Sequence, residues 1–121
     1  MPIADILLTI KPDLNQTQIQ QFEDGLILLK NQWNQSDINA INSEVFKQEV
    51  CQQFDKLLIN LGYDEFDPDA TEPLVHCLYL VSDYKNLIEY IVLTYRQLCN
   101  EDVLGQVYEL MLDEMCDRFD E

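Results

Sequence analysis

The chain has 121 residues, of which 47% are hydrophobic, and carries 23 acidic against 7 basic side chains, a formal net charge of −16. This length and hydrophobic fraction predict a single domain, residues 1–121, that buries a core without disulfides or a structural metal. The charge excludes direct nucleic acid binding and attachment to an anionic membrane, because both require Lys and Arg clusters.

The first half of the chain shows helical spacing of apolar residues. Residues 3–10 are an apolar segment after Pro2, which favours a short helix and leaves a strand as the alternative. A helix over 17–33 is predicted because its apolar residues recur every three or four positions. Ser36 is the candidate N-cap of a segment over 38–61. Ser43 is a candidate second N-cap where that segment can break, and Gly62 a C-terminal cap.

Two further helices are predicted after the acidic loop 63–70. Thr71 is the expected N-cap of the first, which runs to about residue 81. Ser82 or Asp83 is expected to cap the second, residues 84–99, whose apolar side chains lie on nearly all sides. Such a helix is typical of the centre of a bundle.

Asn100 is the expected N-cap of a last helix over 101–119. No repeat, low-complexity tract or interdomain linker interrupts the chain, and no long period-two alternation indicates a strand. The sequence therefore predicts an all-α, single-domain bundle of five or six helices, with the helix near 84–99 buried at its centre.

The negative charge is concentrated in two segments. Residues 61–72 contain five acids and no base, and residues 97–121 contain eight acids against Arg118 alone. On the last helix, acids recur at i,i+4, which costs helix stability, and a binding surface would explain that cost. These carboxylates are the predicted partner-binding residues: Asp64, Glu65, Asp67, Asp69, Glu72, Glu109, Asp113 and Asp117.

Residues with catalytic or metal-binding chemistry do not form a recognisable site. The single histidine, His76, is followed by Cys77, but adjacent residues on a helix point about 100° apart and do not form a catalytic pair. Glu72 and His76 could supply two zinc ligands, yet no second histidine completes a set. An EF-hand reading fails because Glu72 stands where glycine is needed and Leu78 at the twelfth position. We therefore predict no enzymatic activity, no cofactor and no metal.

Four cysteines, at 51, 77, 99 and 116, are spaced like helix positions and not as CxxC pairs. The N-terminus shows neither the charged region nor the cleavage site of a signal peptide. Together these features predict a cytoplasmic protein whose Cys51, Cys77, Cys99 and Cys116 are free thiols.

Acidity combined with the absence of catalytic motifs favours an inhibitory protein that covers a basic site on a partner. The leading hypothesis is an immunity protein that neutralises a bacterial nuclease toxin, and a phage-type DNA mimic belongs to the same physical class. The alternative is a helical adaptor or regulatory subunit that binds through apolar and aromatic contacts. The candidate aromatic anchors for the alternative are Trp33, Tyr63, Phe66 and Phe119.

Overall fold

A computed structural model describes the backbone of residues 3–64, 67–100 and 102–119, and the side chains of these residues except 68 and 115–119. The described part of the chain forms helices and no strand, which confirms the all-α class. Its seven helices are α1 (Ile3–Ile10), α2 (Gln16–Gln35), α3 (Ile38–Ile41), α4 (Glu44–Asn60), α5 (Pro68–Tyr79), α6 (Lys85–Cys99) and α7 (Gly105–Phe119).

The number of helices exceeds the predicted five or six because the third segment divides in two. The Ser43 hydroxyl accepts a hydrogen bond from the backbone N–H of Phe46, so Ser43 caps α4 as predicted. The prediction for Ser36 is wrong: Asp37 caps the short α3, and the Ser36 hydroxyl instead donates to the Gln32 carbonyl at the end of α2.

Helix α2 begins one residue earlier than predicted because Asn15 forms a capping box. Its side chain accepts from the backbone N–H of Gln18, and the Gln18 side chain accepts from the Asn15 N–H. The reciprocal bonds satisfy two backbone donors at the helix start. The first residue of α2 thus depends on two polar side chains, which the spacing of apolar residues does not reveal.

Gly62 ends α4 as predicted, with a positive φ of 95°. Its N–H donates to Ile59 O, and the N–H of Tyr63 donates to Leu58 O, the paired bonds of a Schellman motif. A residue with a Cβ is strained in this left-handed conformation, whereas glycine is not. This turn leads the chain from α4 into the acidic segment.

Helix α5 begins earlier than the predicted cap at Thr71. The side chain of Asp67 accepts from the backbone N–H groups of Asp69 and Ala70, and Pro68 occupies the first helical turn. Thr71 is fully buried inside the helix, where its hydroxyl donates to the Asp67 carbonyl. The aspartate–proline pair is therefore the true start signal, because proline's fixed φ suits the first turn.

The predicted caps of the last two helices are also wrong. Neither Ser82 nor Asp83 caps α6; Tyr84 occupies the N-cap position without a side-chain cap bond. Asn100 adopts a left-handed conformation (φ 52°) and ends α6 instead of starting the next helix, so α7 begins at Gly105. Asparagine is one of the few residues that tolerate this conformation at a helix C-terminus.

Two helices share the centre of the fold. Helix α6 packs against α4, α5 and α7, and α5 packs against α1, α6 and α7. The predicted central position of 84–99 is thus confirmed, but burial on all sides is not, because Leu93 and Leu98 are 44% and 45% exposed. No helix in the described ranges is long and apolar enough to cross a membrane.

Candidate acidic interface

The two acidic segments meet where α5 lies beside the start of α7. A carboxylate oxygen of Glu72 accepts a hydrogen bond from the backbone N–H of Gln106 at 2.8 Å. Further along both helices, the buried Tyr79 hydroxyl donates to Glu114 Oε2 at 2.7 Å. The earlier residue of α5 contacts the earlier residue of α7, and the later contacts the later, so the two helices run side by side in the same direction.

Two of the predicted partner-binding carboxylates have structural roles within the fold. Asp67 caps α5, and Glu72 satisfies a backbone donor in the first turn of α7. Both interactions place negative charge at the positive end of a helix dipole, where it is stabilising. The side chains of Glu65 and Asp117 lie outside the described residues.

The remaining four predicted carboxylates are exposed. None of them takes part in an ion pair with a described basic side chain. We refer to these four side chains together as the acidic surface: Asp64, Asp69, Glu109 and Asp113.

On α7, the acidic and apolar faces are clearly separated. Val107 and Met111 are buried against the core, whereas Glu109 and Asp113, one helical turn apart, face solvent. Leu112, beside Asp113, is 41% exposed. This face therefore presents two carboxylates next to an accessible aliphatic side chain.

The few basic side chains are largely engaged within the protein. Lys85 pairs with Glu114 at 2.5 Å, and Arg96 pairs with Asp102 at 2.8 Å while its guanidinium stacks over the Tyr108 ring. The other cations with intramolecular contacts are Lys11 over Tyr63, Lys30 over Tyr84, and Lys47 with Glu44 and Gln97. These cations therefore make contacts within the same chain, and none of the contacts is an ion pair with the acidic surface.

A polar cluster between α4 and α6 was not predicted from the sequence. The Tyr95 hydroxyl donates to Asp55 Oδ1 at 2.5 Å and lies 3.2 Å from the carbonyl oxygen of Cys51. Burial and the Asp55 carboxylate raise the pKa of Tyr95, and burial raises the pKa of Cys51 to about 12. The sequence signal for this cluster is limited to two four-residue spacings. One separates Cys51 from Asp55 on α4, and the other separates Tyr95 from Cys99 on α6.

The aromatic anchors of the alternative hypothesis are partly covered by the fold. Trp33 packs against the Tyr90 ring with centroids 6.1 Å apart, and its buried indole N–H has no hydrogen-bond partner among the described residues. Tyr63 is half-buried beneath Lys11. The structure does not describe Phe66 or the side chain of Phe119.

The described cysteines 51, 77 and 99 are free thiols, and the side chain of Cys116 lies outside the described residues. His76 is half-buried on α5. No group of three or more potential metal ligands occurs among the residues that the structure describes. Comparison with protein-family models, curated proteins and solved structures gave no match.

Proposed function

We propose that the protein binds a basic protein partner through its acidic surface and inhibits that partner by covering a cationic site. The observation that carries this proposal is an imbalance in pairing. Carboxylates of the acidic surface are exposed without an ion pair to a described cation, whereas most described cations contact groups of the same chain. The unpaired charge is therefore available to a partner.

A bacterial nuclease toxin is the partner class that fits best, which would make this chain an immunity protein. Nuclease sites are cationic because they bind phosphates, and exposed carboxylates can occupy the same electrostatic field. A DNA-mimic inhibitor would bind another cationic enzyme through the same electrostatic attraction. Long-range attraction speeds the encounter, and close contact then excludes the nucleic acid.

A helical adaptor is the second candidate, supported by exposed aliphatic side chains rather than by aromatic ones. Leu28 on α2, Ile38 on α3 and Val45 on α4 are 69%, 72% and 67% exposed. These residues lie on helices that carry neither acidic segment. Binding through them would depend little on salt, because screening acts on charges and not on apolar contacts.

Affinity capture from the native lysate separates the two candidates. The bait is compared with a double reversal on α7, Glu109→Lys with Asp113→Lys. The control is Asp24→Lys with Glu49→Lys, exposed positions on α2 and α4 with the same change in net charge. We expect the wild type and the control to retain a basic protein at low salt and the α7 variant to lose it.

The opposite pattern supports the adaptor. If all three baits retain the same protein at low and at high salt, the acidic surface is not the interface. Circular dichroism of each bait confirms that loss of capture does not reflect unfolding. We expect the α7 variant to remain folded, because both positions are exposed and the reversal only exchanges one like-charge pair at i,i+4 for another.

A further inference from the structure

An open cavity of about 490 Å³ lies between α4 and α6, apart from the acidic surface. Its walls include the exposed aliphatic side chains of Ile59 and Leu98. Two free thiols line the same cavity from opposite helices: Cys51, 3% exposed on α4, and Cys99, exposed at the end of α6. The proposed function makes no use of this pair.

We propose that Cys51 and Cys99 form a reversible disulfide across this cavity when the protein meets a small-molecule disulfide such as oxidised glutathione. The bond would tie α4 covalently to the end of α6. It is independent of partner binding, since neither thiol belongs to the acidic surface.

Hydrogen bonds of Tyr95 hold the two helices together beside the thiols. The Tyr95 hydroxyl reaches the carbonyl oxygen of Cys51 itself at 3.2 Å, and also Asp55, one turn further along α4. Cys99 follows Tyr95 by four residues and so lies on the same side of α6. The two cysteines therefore border one contact between the helices.

The position of Cys99 lets it approach Cys51. A disulfide requires Cα atoms about 4.4–6.8 Å apart. Cys99 is the last residue of α6, and Asn100 turns the chain into the left-handed conformation directly after it. The last turn of a helix lacks part of its backbone hydrogen bonding and frays readily. Bond formation requires a movement of this turn that brings the two sulfur atoms into contact.

The chemistry proceeds by two thiol–disulfide exchanges. The exposed Cys99 thiol loses its proton to solvent, and the thiolate attacks one sulfur of oxidised glutathione, which releases one glutathione thiolate. Cys51 then loses its proton and attacks the Cys99 sulfur, which releases the second glutathione. Two protein thiols are oxidised and one glutathione disulfide is reduced to two thiols. The second exchange is the slower one, because the buried Cys51 is rarely a thiolate.

The test uses the full chain with Cys77→Ser and Cys116→Ser, which leaves only this pair. After incubation with oxidised glutathione, we expect an intact mass lower by two hydrogens and no thiol left for alkylation under denaturing conditions. Reduction should restore both thiols. Peptide mapping of the oxidised wild-type chain should show the same link between Cys51 and Cys99, which guards against an effect of the serine substitutions on folding.

The matched control adds Cys99→Ser, an exposed position, to the same background. This control should neither lose mass nor retain glutathione on the buried Cys51. The proposal is overturned if glutathione stays bound to Cys99, if the product is a disulfide-linked dimer, or if the wild-type map joins other cysteines. None of these outcomes depends on the proposed partner, so the two proposals can fail separately.

Discussion

The hydroxyl of Tyr95 on α6 links this helix to α4, because it donates a hydrogen bond to the Asp55 side chain. We expect Tyr95→Phe to lower the free energy of unfolding by about 1–3 kcal/mol, since the phenyl ring keeps the packing while the part-buried carboxylate loses a donor. Urea unfolding followed by circular dichroism measures this change.

Tyr108→Phe is the control for the tyrosine substitution. The Tyr108 ring stacks under Arg96, and no described residue forms a hydrogen bond with its hydroxyl. This variant should unfold within about 0.5 kcal/mol of the wild type, the usual range for surface changes. Equal losses in both variants would show that the bond to Asp55 contributes little.

Burial of the Cys51 thiol also makes the free energy of unfolding depend on pH. Burial holds the folded-state pKa of its thiol at about 12, above the ordinary value of 9.0. The unfolded chain therefore releases this proton first, and the stabilisation, complete below pH 9, is lost as pH rises towards 12. A shift of this size corresponds to at most about 4 kcal/mol.

We expect Cys51→Ala to flatten the fall in unfolding free energy between pH 9 and 12. Cys99→Ala should change the slope much less, because the Cys99 thiolate is the smallest of the causes that raise the pKa of Cys51. Urea unfolding at a series of alkaline pH values measures both slopes. Part of the slope should remain in Cys51→Ala, because burial also raises the pKa of Tyr90 to about 12. Identical slopes for Cys51→Ala and wild type would contradict the assignment.

Among the helices, Gly25 within α2 and Gly105 at the start of α7 should respond oppositely to alanine. A Cβ on Gly25 in α2 would clash with the Leu57 side chain on α4, whereas a Cβ on Gly105 in α7 meets nothing within 4 Å. We expect Gly25→Ala to lower the free energy of unfolding by about 1 kcal/mol through overpacking. Gly105→Ala should raise it by roughly 0.4–1 kcal/mol, because alanine lowers the conformational entropy of the unfolded chain.

Thermal or urea unfolding of both glycine variants tests this contrast directly. A stabilised Gly25→Ala variant would show that Leu57 moves aside at little cost. Destabilisation by Gly105→Ala would indicate that the start of α7 needs the freedom of glycine.

Two of the capping signals that depend on local sequence were predicted correctly, Ser43 and Gly62. Ser43 and Gly62 act through bonds to residues within five positions, so the chain itself contains the information. Apolar spacing likewise predicted the helical class. Helix ends were mispredicted where neighbouring residues are all suitable caps. Asp67, not Thr71, caps α5, and Asn100 ends a helix instead of beginning one.

The candidate site was predictable only in part. Exposure of Glu109 and Asp113 follows from their position opposite the apolar face of one helix. The structural role of Glu72 does not, because it depends on the N–H of Gln106, 34 residues away. The Tyr95–Asp55 bond also joins residues distant in sequence, which no local pattern reveals.

At the scale of the whole molecule, the charge of −16 acts as one field in addition to individual contacts. Such a field raises association rates with a basic partner and weakens as salt shortens the Debye length to about 8 Å at physiological ionic strength. Most described cations contact groups of the same chain, whereas the acidic surface has no ion pair with a described cation. We therefore expect association to be fast at low salt and to depend on which carboxylates are reversed.

The association rate constant with the captured partner, measured across a salt series, is the decisive test of binding through the acidic surface. Wild type should associate on the order of a hundredfold faster at low salt than at high salt, as expected for electrostatic steering. Glu109→Lys with Asp113→Lys should lose most of that acceleration, and Asp24→Lys with Glu49→Lys should lose much less. Equal rates for all three proteins, unchanged by salt, would contradict the account.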